Sequence, residues 1–148
     1  MNRKFLDIAI NESEKSVAKG ASPFGAVIVR DGKIIARAHN TVMQKSDPTA
    51  HAEINAIRLA CKKEGTFDLS GCDLYTSCEP CPMCLAAITW AKISHVYYAA
   101  DRYDADRIGF RDKRMFDNKC HVHMTHVENT GAADIMEKWH KLKSRKKY

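Results

Sequence analysis

The 148-residue chain predicts an α/β fold. Two observations carry this: a pair of short apolar runs joined by an Asp-Gly dipeptide, and a strand, helix and strand in succession between residues 72 and 100. The first pattern is that of a β-hairpin, and the second implies parallel strands joined by a crossover helix.

The elements follow in order. Residues 2–19 place Phe5, Ile8, Ala9 and Val17 at helical spacing, and Gly20 ahead of Pro23 supplies a stop, so the chain opens on an amphipathic helix. Gly25-Ala-Val-Ile-Val-Arg and Lys33-Ile-Ile-Ala-Arg-Ala flank Asp31-Gly32, a pair that tolerates the positive φ of a tight turn. Asp47-Pro48 leads into a helix over 49–63, whose Ile54, Ile57 and Leu59 leave polar residues on another face and whose first turn carries His51 and Glu53. Cys72-Asp-Leu-Tyr-Thr reads as a strand running into Ser77-Cys-Glu-Pro-Cys-Pro. A helix over 83–92 and the strand His95-Val-Tyr-Tyr-Ala-Ala come next. Residues 101–118 are charged and weakly patterned, 120–127 alternate like an edge strand, and 131–145 are helical in composition. No repeat or low-complexity segment interrupts the chain, and its length suits a single domain, 1–148.

Bulk properties narrow the setting. The start has neither the apolar run of a signal peptide nor a membrane span, so a soluble, cytoplasmic protein is expected. In that setting the six cysteines are thiols available to a metal rather than a disulfide framework. The net charge of +6 equals the contribution of Lys138, Lys141, Lys143, Arg145, Lys146 and Lys147, which no acid follows. Such a tail reads more readily as a solvated helix end than as a nucleic-acid surface.

The chemistry concentrates in His51-Ala-Glu53 and Pro80-Cys81-Pro-Met-Cys84. Each half lies where the chain enters a helix, so two helix starts can face one point. One imidazole and two thiolates make a tetrahedral zinc site with its fourth position open, the mark of a catalytic rather than a structural site. One Zn2+ per subunit with a bound water or hydroxide is therefore expected. Glu53 is placed to carry protons: hydrolytic deamination needs an attacking hydroxide, a proton on a ring nitrogen and a proton on the departing amine, and one carboxylate can move them all. The combination resembles the His-x-Glu and Pro-Cys-x-x-Cys signature of zinc deaminases. A redox Cys-x-x-Cys would have no use for His51 and Glu53, and a non-catalytic zinc-binding interaction domain would close four ligands and leave Glu53 idle. Cys78, in the run Cys78-x-x-Cys81-x-x-Cys84, is expected near the metal but not on it. Cys61, Cys72 and Cys120 are expected to be small buried or half-buried residues. His121, His123 and His126 form a second cluster with no cysteine or carboxylate arranged around it.

At these residues the chain resembles the cytidine-deaminase-like superfamily, and more closely its small bacterial guanine deaminases. The resemblance runs from about Pro23 to Asp112. It includes Pro23-Phe-Gly-Ala-Val-Ile-Val, Asn40, Asp47-Pro-Thr-Ala-His-Ala-Glu, Leu74-Tyr-Thr-Ser-Cys-Glu-Pro-Cys-Pro-Met-Cys84 and Gly109-Phe110. It implies a three-layer α/β/α sandwich around a mixed five-stranded sheet. It further implies that Asn40 binds the base, that Phe24 stacks on it, that Asp112 lines the pocket and that a terminal tyrosine, here Tyr148, closes it. A homodimer is implied too, with the C-terminal helix and tail, about 131–148, exchanged between subunits. The implied reaction is guanine plus water to xanthine plus ammonia. The rival within the superfamily is a tRNA or nucleoside deaminase, for which the basic tail would track phosphates.

Overall fold

The computed structural model describes residues 1–117, 122, 124–127 and 132–144. The elements are α1 (Arg3–Ala18), β1 (Gly25–Arg30), β2 (Lys33–His39), α2 (Val42–Lys45), α3 (Ala52–Glu64), β3 (Cys72–Cys78), α4 (Pro82–Trp90), β4 (His95–Ala100), α5 (Arg102–Arg107), α6 (Lys113–Phe116) and α7 (Ala132–Lys141). Local chemistry sets their limits. Asn2 caps α1 by accepting the Lys4 N–H, and Gly65 ends α3 in the left-handed region at φ 67°. The β1–β2 turn is carried by Asp31 and Gly32, both at positive φ as expected.

The sheet has the order β2-β1-β3-β4. β1 runs antiparallel to both β2 and β3, while β3 and β4 are parallel with Leu74 beside Val96. Alternation along the strands divides the core between two faces. Val27, Val29 and Tyr75 pack with Phe5 and Ala9 of α1. Ala26, Ile28 and Leu74 point the other way, onto Ala52, Ala56 and Ala60 of α3 and Ile88 of α4. Burying a leucine as completely as Leu74 stabilises by roughly 2 kcal/mol. Helices thus cover both faces of the sheet.

Among the described residues the sheet has four strands, not five. The missing one is the edge strand expected over 120–127, where the described positions, 122 and 124–127, form no strand. Period-two alternation of side chains is necessary for a half-buried strand but does not itself supply a partner edge. The weakly patterned stretch 101–118 instead forms α5 and α6. Asp101 and Asp104 build a reciprocal capping box at the start of α5.

One contact fixes the distance between α1 and the sheet. A Cβ on Gly25 would lie 2.2 Å from the Ala9 carbonyl oxygen and 2.5 Å from the Ser13 nitrogen, so the helix backbone rests directly on the strand.

Because β1 is antiparallel to its neighbours, its start and the ends of β2, β3 and β4 share one edge of the sheet. Phe24, Asn40, the Cys78–Cys84 segment and the turns after Ala100 are thereby gathered at that edge.

Candidate metal centre and pocket

Two helix starts build the centre. His51 is the N-cap of α3 and Cys81 the N-cap of α4, both in extended backbone conformation, and neither uses its side chain to cap its helix. Pro82 at the first position of α4 needs no N–H partner there, and it leaves the chain preset for the turn that brings Cys84 beside Cys81. His51 Nδ1 stands 3.7 Å from Cys81 Sγ and 3.6 Å from Cys84 Sγ. All three ligand atoms lie within 4.8 Å of one another. A tetrahedral zinc with bonds of about 2.3 Å to sulfur and about 2.0–2.1 Å to nitrogen sets an N···S edge of roughly 3.6 Å. The donor set fits zinc in type, number and spacing.

The electrostatics agree. A hydrogen bond from Cys84 holds the Cys81 thiol down at about 4, and His51 adds to the effect. The same bond, with burial, pushes Cys84 up. The hydrogen bond to Cys81 raises His51. These groups share protons that a divalent cation would displace, since metal ligation requires both thiolates and a neutral imidazole. The amino ends of two helices reinforce negative charge at the same point.

Glu53, in the first turn of α3, is 6% exposed. Burial, with the Cys81 charge second among the raising causes, lifts its carboxyl to about 7. A carboxyl poised there can both take and give a proton at neutral pH. Cys78 is buried and pushed up to about 12 by burial, with the Glu53 charge next, so it is a neutral thiol beside the centre, its Sγ 3.7 Å from the Asp101 carbonyl oxygen.

These groups open into a cavity of about 230 Å3. Its lining includes Phe24, Asn40, Glu53, Cys78 and Asp112, together with His51 and Cys81 at the centre. The structure thus brings together every candidate site residue of the sequence that falls among the described ones. Tyr148, with His121, His123 and Cys120, lies outside them. Cys72 is buried and Cys61 half-buried, as expected.

Phe110, Glu79 and Met43 are among the cavity-lining side chains that spacing does not single out. Phe110 meets Phe24 edge-on, with ring centroids 4.9 Å apart. Glu79 accepts hydrogen bonds from the backbone and guanidinium of Arg102, whose guanidinium carbon sits 3.7 Å from the Phe116 ring centroid and so braces α6. Met43 lies at the rim. A lone aromatic in a charged stretch was the available signal for Phe110. Glu79 carried none, because its partner lies 23 positions away.

Asn40 is 3% exposed, and its Oδ1 accepts the Val42 N–H at 3.1 Å. Its two amide hydrogens are what it offers a ligand. Burial first, and then the Cys81 charge, raises the Asp112 pKa. Among the described residues, no lysine or arginine lines the cavity.

A family model, the cytidine and deoxycytidylate deaminase zinc-binding region, matches residues 1–100. Guanine deaminase of Bacillus subtilis is 53% identical over 113 residues, which cover 76% of this chain and 72% of that protein. A tRNA-specific adenosine deaminase of Aquifex aeolicus is 46% identical over 96 residues, covering 65% of this chain and 64% of that one. Among solved structures, guanine deaminase from Bacillus subtilis superposes with a TM-score of 0.94 at 43% identity, covering 100% of this chain and 99% of that one.

Proposed function

The chain belongs to the cytidine and deoxycytidylate deaminase family of zinc-binding proteins, and on that premise we propose that it hydrolyses guanine to xanthine and ammonia in purine salvage or catabolism. One observation carries the reading: a buried carboxyl poised near neutrality stands beside a His/Cys/Cys set, in a small cavity with no lysine or arginine among its described lining residues. The volume is below the roughly 300–1,000 Å3 of sites for drug-sized ligands and suits one flat heterocycle.

Zinc would be held by His51, Cys81 and Cys84, where it would supply Lewis acidity and lower the pKa of water to about 7. The chain's own groups do the rest. Glu53 takes a proton from the attacking water and gives it to the ring nitrogen next to C2. It then carries the second proton to the amino group as the C2–N bond breaks, leaving a carbonyl at C2. Phe24, edge-on to Phe110, supplies an aromatic face for the base. Asn40 presents its N–H donors to acceptors on the ring, and Asp112 faces the ring's own N–H groups. Tyr148 is assigned the lid by the resemblance.

The alternative substrate is an adenosine in tRNA or a free nucleoside, as the relative from Aquifex aeolicus suggests by its name. The absence of cationic lining among the described residues favours a free base. Ammonia release from guanine, guanosine, cytosine and adenosine, run beside inosine formation in tRNA, tests this. Turnover of guanine that is lost in Glu53→Ala supports the reading. Activity confined to nucleosides or tRNA overturns the substrate, and guanine turnover that survives Glu53→Ala overturns the mechanism.

The reading extends to a single-domain subunit, 1–148, in a cytoplasmic homodimer with its C-terminal segment, about 131–148, exchanged. Support comes from α7, whose Ile135 and Trp139 are 67% and 43% exposed, and from Trp90 on α4 at 61%. Mixing Glu53→Ala with Tyr148→Ala chains tests the exchange. A swapped dimer restores one intact site per mixed pair, roughly a quarter of wild-type activity overall, and an unswapped one restores none. No helix among the described residues is long and apolar enough to cross a membrane.

A further inference from the structure

We propose that Asn55 is a positioning residue that sets the distance between the base-reading Asn40 and the metal ligand His51. The inference rests on the reading of the site given above. Asn55 lies one turn into α3, is 6% exposed, and is itself neither one of the three metal-ligating residues nor one of the residues lining the cavity. Its backbone N–H donates to the His51 carbonyl at 2.9 Å. Its Nδ2 reaches three oxygens: the His39 carbonyl at 3.0 Å, the Thr41 hydroxyl at 2.9 Å and the Ala50 carbonyl at 3.1 Å.

Those oxygens flank the two functional residues. His39 and Thr41 bracket Asn40 at the end of β2, and Ala50 immediately precedes His51. The segment between, 42–49, is half-buried or exposed throughout, and so has little packing of its own to hold it. Beside Asn55, the Thr41 N–H also joins the two ends by donating to the Ala50 carbonyl at 3.0 Å. One carboxamide therefore fastens the substrate-reading strand end to the metal-binding helix start. Carbonyl oxygens on both sides demand a donor, so an aspartate of the same shape would face them with oxygen, and a leucine would leave them unmatched.

The test is a double-mutant cycle in zinc-loaded protein, with Asn55→Leu and Asn55→Asp each crossed with Asn40→Ala. Asn55→Leu is expected to raise KM for guanine by about 10-fold, with kcat falling less, and Asn55→Asp to do more. In the Asn40→Ala background the same changes should alter KM by less than about 2-fold, because the distance they disturb no longer matters. A residue that only supports the fold would lower Tm and give additive effects in both backgrounds. Additivity overturns the proposal, whatever Tm does. If the wild type deaminates another amine of the panel, the substrate reading fails and the cycle is run on that amine. If it deaminates none, zinc release to a chelator decides: about 10-fold faster release from Asn55→Asp than from wild type supports the link to His51, and an unchanged rate overturns it.

Discussion

Helices α3 and α7 invite comparison because each carries isoleucine on an amphipathic face, yet they end in opposite conditions. In α3, Ala52, Ile54, Ala56 and Ala60 are buried against the sheet and α4. In α7 no residue is buried, although apolar and charged side chains are separated along it more cleanly than in α3. Amphipathic patterning states that a face must be covered but not what covers it. For α3 the cover is the sheet that the next element completes. For α7 it lies outside the described residues of this chain, in keeping with the proposed partner subunit.

The comparison yields predictions that separate chemistry, core and interface. The largest effect belongs to the start of α3. Glu53→Gln should lower kcat by about 10²- to 10⁴-fold with zinc retained at one per chain, measured by metal analysis beside ammonia release. Next in size is the metal itself: Cys84→Ala should leave less than one zinc per chain and lower Tm, because ligation contributes to folding. A matched pair then addresses the two helices directly. Ile54→Ala should cost about 2–4 kcal/mol in urea unfolding at any protein concentration. Ile135→Ala should cost less than about 0.5 kcal/mol in the dissociated chain, with its effect visible as a weaker dimer by light scattering on dilution. Equal, concentration-independent costs would break the contrast.

The smallest effect concerns pH. Hydrogen bonds from Arg102 hold the Glu79 carboxyl below the usual carboxylate range. A carboxyl depressed in the folded state stabilises above its unfolded pKa, near 4, and that contribution is lost as pH falls through the folded value. The pair is partly screened, so about 1 kcal/mol or less is at stake. Glu79→Gln should flatten the acid side of a Tm-against-pH curve and leave the neutral side nearly unmoved.

What could be read from sequence was what is encoded locally. His51, Glu53, Cys81 and Cys84 sit within two short motifs, and the Asp31-Gly32 turn is a two-residue signal, so the centre and most elements were legible. Glu79 and Asn55 were not, because their meaning comes from partners elsewhere in the chain, and Phe110 entered only through the resemblance. The helices after Ala100 had a signal that went unread, the Asp101–Asp104 capping box. Alternation over 120–127 carries less: its described positions, 122 and 124–127, form no strand.

Gly25 adds a consequence for how this molecule tolerates change. Its missing side chain lets the backbone of α1 rest on β1, and the two obstructing atoms nearest it belong to main chain, which cannot rotate aside. Even alanine would lift the helix and carry Phe24, one residue away, off the wall of the cavity. In a saturation library selected for growth on ammonia released from guanine, position 25 should be the emptiest column, more intolerant than several of the positions proposed to contact the base.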